Sequence, residues 1–366
     1  MKIIYYYLIL YTMKPVQFNM QKSKEFYETL KHKVKEYFDT QKKSDKGNRY
    51  LYSKAIILFT SWIGAYCLIV FVAQSVRAVI GSYIIFGVIG ALIGFNIMHD
   101  GGHGWFSKKK RLNNLAWFSM NILWSNICFG KIQNNMLHHT YTNIDQYDDD
   151  IDSRPIFRFH PEQERKRFHK YQYLYFLPLY WLGTWSLMFY GDFRRYFQRT
   201  IGSFSLKKLP LFEHVLFRTT KLFMISLYFI IPAFAVGWWK ALIGMVCMYF
   251  FMSMFLNTIF QLAHVLEKTS MVSHKDYKVE EHRAVHQLET TANFAMRNPV
   301  WTWLLGGLNF QVEHHLFPQI SHVHYPKIAR IVQQVCHQYW IPYHSYATVT
   351  SAFVSHVKYI KNMGRS

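Results

Sequence analysis

Cysteine is scarce in this 366-residue chain, and the four present, Cys67, Cys128, Cys247 and Cys336, form no Cys-x-x-Cys pair. Neither a disulfide framework nor a thiolate metal site is suggested. No Glu stands in a His-Glu-x-x-His arrangement, so the usual zinc-hydrolase signature is missing. Acidic residues are also few: 21 Asp and Glu face 42 Lys and Arg, a net charge of +21. Such an excess suits nucleic acid, an anionic lipid surface, or the orientation of a membrane chain. Internal repeats and low-complexity tracts are absent.

What the chain has instead is apolar sequence in concentrated runs. Hydrophobic residues make up 51% and aromatics 19%, yet the mean hydropathy is near zero. The distribution therefore matters more than the mean. Four runs have the roughly 20-residue length of a bilayer crossing: 55–73, 78–98, 222–239 and 241–263. Only Gln74-Ser-Val-Arg77 separates the first two and Trp239-Lys240 the second two, which predicts two tight helical hairpins. With spans present, the basic surplus reads as lipid attraction and topology, and nucleic acid is set aside as a partner. Basic clusters such as Lys108-Lys-Lys-Arg111, Arg165-Lys-Arg167 and Arg194-Arg195 flank the hairpins. By the positive-inside rule, the amino-terminal segment, the long middle segment and the tail are cytoplasmic, and the two short turns face outward.

Outside the spans the reading is coarser. Residues 1–12 hold a short apolar stretch without a small-x-small cleavage site, so a signal peptide is not expected. They read as an extension ahead of a second possible start at Met13. Residues 13–53 form a cytoplasmic amino-terminal segment, in which Phe26, Leu30, Val34 and Phe38 recur every four residues. That period predicts an amphipathic helix, lying on the membrane surface or docked on a cytoplasmic domain. Two further aromatic-rich stretches, 112–130 and 171–190, are expected as helices half-sunk in the interface. Counting only one of them as a span would put His264 across the bilayer from His99. Asp148-Asp-Asp-Ile-Asp152 reads as a solvated turn.

Histidine carries the chemistry. In His99-Asp-Gly-Gly-His103, directly after the second apolar run, a continuing helix puts two imidazoles four apart on one face. His138-His139, Gln311-Val-Glu-His314-His315 and His264 at the end of the fourth run add to them. A single His-His pair is ordinarily polar filler. Three clusters and an isolated histidine, all at the same end of membrane segments, predict a shared metal centre. Clustered imidazoles without thiolates suit zinc, copper, iron or nickel. Seven candidate ligands exceed the four that one zinc takes, which points to two metals. Such a pair beneath apolar helices is suited to activating dioxygen against an unactivated carbon, with a lipid chain entering from the bilayer.

These motifs, together with His138-His-Thr-Tyr-Thr-Asn143, His286-Gln-Leu-Glu-Thr-Thr-Ala-Asn-Phe294 and Asn309-Phe-Gln-Val-Glu-His-His-Leu-Phe-Pro318, resemble the membrane fatty acid desaturases. Within that family the likeness is to the front-end type, the bacterial linoleoyl-CoA or acyl-lipid desaturases, and it runs from about Met13 through nearly the whole chain. The resemblance implies an all-α integral membrane protein. Four transmembrane helices in two hairpins would sit under a cytoplasmic helical cap, with residues 54–366 as the desaturase domain in a bacterial inner membrane. It implies two irons, dioxygen as co-substrate, and removal of two hydrogens from the acyl chain of an acyl-CoA or a phospholipid. The ligands carried over by position are His99, His103, His138, His139, His264, His314 and His315, with Gln311 heading the third box and His286 a weaker candidate. Asp100 and Glu313 would orient ligating imidazoles. Hydroxylation on the same scaffold is the alternative reaction.

The family's second box reads His-x-x-x-His-His, and here Asn134 stands in place of its first His, after Gln133 instead of a basic residue. Three readings stay open: Asn134 ligates directly or through water, His282 or His286 substitutes, or the protein is a catalytically impaired lipid-binding homologue. No His-Pro-Gly-Gly haem signature occurs, so electrons are expected from a separate ferredoxin or b-type cytochrome.

Overall fold

A computed structural model describes residues 9–10, 14–202, 204–273 and 277–366. Most of the expected extension over 1–12 lies outside the described residues; of it, Ile9 and Leu10 pair antiparallel with Leu206 and Ser205.

Four helices are long and apolar enough to cross a membrane: Arg49–Val72, Val76–His103, Leu211–Val236 and Trp238–His264. Their outer faces carry exposed apolar side chains, with Phe71 and Phe234 74% and 89% accessible. Such surface is costly in water and at home in lipid, so the chain is a membrane protein. The helices reach beyond the apolar runs for identifiable reasons. Asn48 caps the first, its side chain accepting from the Leu51 N–H. The third begins at Leu211 because Glu213, Phe217, Lys221 and Met224 share one buried stripe. Lys221, which hydropathy counts against a span, is paired with Asp192 at 2.7 Å.

The turn between the third and fourth helices also differs from expectation. It is made by Gly237, at φ +91°, and Trp239-Lys240 belongs to the first turn of the fourth helix. Glycine reaches that left-handed conformation without a Cβ clash. Lys240 then donates to the Gln74 carbonyl at 2.9 Å, joining the two turns at the end remote from the histidines.

The second and fourth helices approach most closely. A Cβ on Gly87 would stand 2.5 Å from the Met248 carbonyl oxygen, and one on Gly244 2.2 Å from the Tyr83 ring. Small residues at such crossings let backbones pack where lipid offers no hydrophobic drive between helices. Tyr83 also ties the second helix to the third, donating to the Tyr228 carbonyl at 2.8 Å.

Neither 112–130 nor 171–190 forms a span. The first breaks into Lys110–Phe118, Met120–Leu123 and Ile127–Gly130. Its asparagines act as turn devices: Asn121 accepts from the Ile127 N–H at 2.9 Å, and Asn126 caps the next helix. The second, from Gln172–Trp181 onward, packs along the fourth span. There the Thr184 N–H donates to Ser253, and Asn257 donates to the Tyr180 carbonyl.

The helix Lys24–Gln41 resolves the choice left by its four-residue period. Phe26, Leu30 and Val34 are buried among Leu288, Val312, Ile328 and Val332, so the helix docks on protein. A strictly all-α expectation needs one amendment. Gln17–Phe18 pairs in parallel with Lys278–Val279, and Asn293–Phe294 with Ser345–Tyr346, fastening segments far apart in the chain.

Candidate metal centre

The second helix carries the first pair of imidazoles to the site. Its hydrogen bonding widens into a π-helical turn over Gly94–Met98 and tightens again at His99–His103. The two rings lie 4.7 Å apart. A second π-helical turn, Lys131–His138, delivers His138 and His139. Such widened turns recur at functional sites because the extra residue re-aims side chains. His264 closes the fourth helix, and the short Gln311–Leu316 helix supplies His314 and His315.

These seven imidazoles form one continuous cluster. His99, His103 and His314 present ligand atoms within 4.8 Å of one another, as do His138, His264 and His315. His139 stands between the two groups, its ring 4.7 Å from His103, 4.5 Å from His314 and 4.3 Å from His315. His99 and His264 therefore lie at one end of the helix bundle. Among the described residues, several buried nitrogens here have no hydrogen-bond partner: both of His139, Nε2 of His264 and of His315, and Nδ1 of His99. Orphaned buried polar atoms are costly, and lone pairs converging in two groups fit a pair of metal ions. Burial, and then the neighbouring imidazoles, push the pKa values of His139, His314 and His315 well below the usual histidine value. Neutral rings keep their lone pairs available.

The groups that hold the imidazoles are mostly unforeseen. His138 Nδ1 lies 3.1 Å from both carboxylate oxygens of Asp148. Burial opposes charge on His138, but Asp148 and Asp150 outweigh it and raise its pKa. The acidic turn is thus not simply solvated: Asp148 is buried and also accepts from the Asn143 N–H. His315 Nδ1 meets Gln287 Oε1 at 2.8 Å, His314 Nδ1 meets the Tyr325 hydroxyl at 3.3 Å, and His264 Nδ1 faces the Thr290 carbonyl at 3.4 Å.

Asp100 and Glu313, expected in that orienting role, have other partners. Asp100 pairs with His322 Nδ1 at 2.8 Å. Glu313 accepts from Asn293 and Tyr343, both at 2.8 Å, while burial lifts its pKa to about 7. His286 is fully buried beside Phe18 and belongs to neither convergent group. Its neighbour Gln287, in the same motif, is the residue that reaches the cluster. In that motif histidine carries a metal-ligand signal of its own, and glutamine carries none until the fold aims it.

A cavity of about 340 Å³ runs from His99, His138 and His314 past Asn134, Gln133 and Gln311 into an apolar slot. Met98, Trp117, Met120, Trp124, Leu187, Leu256 and Phe260 line that slot. A mainly apolar cleft with a few convergent polar groups at one end is the usual form of a small-molecule site.

Comparison with known proteins bears on what such a site does. The fatty acid desaturase family model matches residues 75–347. An sn-1 linoleoyl-lipid 6-desaturase of Arthrospira platensis is 31% identical over 93% of this chain and 93% of its own length. A Synechocystis protein of the same name is 29% identical over 97% of the chain and 99% of its own length. An acyl-lipid (8-3)-desaturase of Physcomitrium patens is 31% identical over 93% of the chain and 72% of its own length. With the family model covering most of its length and relatives matched nearly end to end, the chain belongs to the fatty acid desaturase family and is an oxidoreductase of fatty acyl chains.

Proposed function

We propose that this chain introduces a cis double bond into an acyl chain of a membrane lipid, with two irons held by His99, His103, His138, His139, His264, His314 and His315. The observation that carries the reading is a cluster of seven imidazoles, three of which, His99, His138 and His314, face the polar end of a mainly apolar cavity. Bound there, iron would supply the activation of dioxygen needed to break unactivated C–H bonds. The acyl chain loses two hydrogens, an external carrier gives two electrons, and dioxygen leaves as two waters after taking up two further protons. The protein's own part is positional. Trp117, Trp124 and Leu187 exclude water and align the chain, and Asp148 and Gln287 fix the imidazole rings. The names of the relatives favour an acyl group carried on a lipid over acyl-CoA.

The site faces the cytoplasm of a bacterial inner membrane in this reading. Lys108, Lys109, Lys110 and Arg111 follow the first histidine pair directly, and the positive-inside rule puts such clusters inside. Electrons come from a separate acidic ferredoxin or b-type cytochrome. A second cavity of about 380 Å³, lined in part by Lys31 and Arg283, reaches Gln287 and His315 and offers that carrier a basic approach.

Lipid profiling by mass spectrometry, in a host expressing the chain, tests the reaction. New unsaturated acyl chains that vanish in His315→Ala are expected. Acyl chains carrying one added oxygen would establish hydroxylation instead, and identical profiles for both proteins would refute an enzyme. One observation, Asn134, favours a second reading as a catalytically impaired homologue. It predicts product only from Asn134→His.

A further inference from the structure

The two halves of the histidine cluster are unequally built. Around His138, His264 and His315, every imidazole has its Nδ1 facing an acceptor: Asp148, the Thr290 carbonyl and Gln287, respectively. Around His314 and the adjoining His139 the support is thinner: among the described residues neither nitrogen of His139 has a partner, although a single metal bond would use only one of them, and the Nδ1 of His314 meets a tyrosine hydroxyl at 3.3 Å.

Asn134 falls on this weaker side, and a chain of hydrogen bonds fixes which way its amide points. The Gly102 carbonyl accepts from Asn135 Nδ2 at 2.8 Å, which leaves Asn135 Oδ1 facing Asn134. Asn134 Nδ2 donates to that oxygen at 3.0 Å and lies 3.2 Å from His103 Nε2. Turning the amide over to offer its oxygen would set two oxygens against each other and lose the bond to Asn135. The group directed at His103 is therefore an N–H donor, which has no lone pair for a metal and competes for the one on the imidazole.

We infer that the His99–His103–His314 position, with the adjoining His139, binds its metal ion weakly and reversibly, beside a tight position at His138, His264 and His315, and that Asn134 is not a ligand. The inference rests on the metal-centre reading above. It replaces the idea of a substitute amide ligand with a site in which one ligand is missing and another is contested.

The test is iron release from the full-length, iron-loaded protein in detergent, followed with a colorimetric ferrous chelator, with total iron by atomic emission. Release in two phases is expected, one iron fast and one slow. Asn134→His should slow the fast phase by roughly tenfold or more, since losing even an outer hydrogen-bonding partner of a ligand costs about 10- to 100-fold in metal affinity. Asn134→Ala should leave the fast phase unchanged or slow it. A faster release in Asn134→Ala would make Asn134 a ligand and overturn the inference, as would two equally slow irons in the natural protein. Asp148→Asn, which acts only on the tight position, should speed the slow phase alone; an effect confined to the fast phase also counts against the assignment. Absence of iron from both the natural protein and Asn134→His, with tryptophan fluorescence unchanged, would overturn the metal-centre reading itself.

Discussion

Gln287 condenses the residue-scale lesson. Its carboxamide oxygen meets His315 Nδ1 at 2.8 Å and its nitrogen lies 3.4 Å from the His139 carbonyl, so one buried amide aligns two parts of the cluster. Removing an acceptor of this kind lets a ligating ring rotate and lowers its basicity. Gln287→Leu should weaken metal retention by about 10- to 100-fold, read by equilibrium dialysis against a chelator, whereas Gln287→Glu should keep most of it. Equal loss in both variants would mean that Gln287 merely fills space. The histidines themselves were legible because imidazoles in clusters are rare without a metal. Their supporting acceptors were not, since Gln287, Asp148 and the Thr290 carbonyl are ordinary groups until the fold aims them.

At the scale of elements, the first histidine pair depends on two helices being pressed together. A Cβ on Gly101 would stand 2.5 Å from the Trp117 backbone nitrogen, and one on Gly102 2.5 Å from the Trp117 ring. The glycines between His99 and His103 are thus demanded by the Lys110–Phe118 helix passing over them. Gly101→Ala should cost on the order of 1–3 kcal/mol by overpacking and should lower metal content as the pair is displaced. Gly64→Ala, where nothing lies within 4 Å, is the control and should raise stability slightly. Thermal unfolding in detergent compares the two, and equal effects would refute the packing argument. The apolar runs announced the helices, but their extents escaped hydropathy. Lys54 and Lys221 are buried and paired inside the first and third helices, Lys54 with Asn96 and the Trp303 carbonyl, and Lys221 with Asp192. A window average counts such residues as span ends.

For the whole molecule, function depends on sidedness. The turns at Gln74 and Lys240 touch each other, and the histidines gather at the opposite end of the same four helices. In a cysteine-free background, Gln74→Cys and Lys240→Cys should react with a membrane-impermeant thiol reagent from outside intact cells, and Lys109→Cys only after lysis. Labelling of all three from one side would contradict the four-span arrangement.

Composition and spacing were enough to announce a membrane chain, its four apolar helices and the imidazoles that the fold gathers into one cluster, because hydrophobic length and histidine clustering are local properties. How the imidazoles divide into two groups, which amides and carboxylates hold them, and that Asn134 turns a donor toward His103 are relations between segments far apart in the chain. They were settled by packing, where the glycine crossings and buried ion pairs fix distances that no stretch of sequence contains.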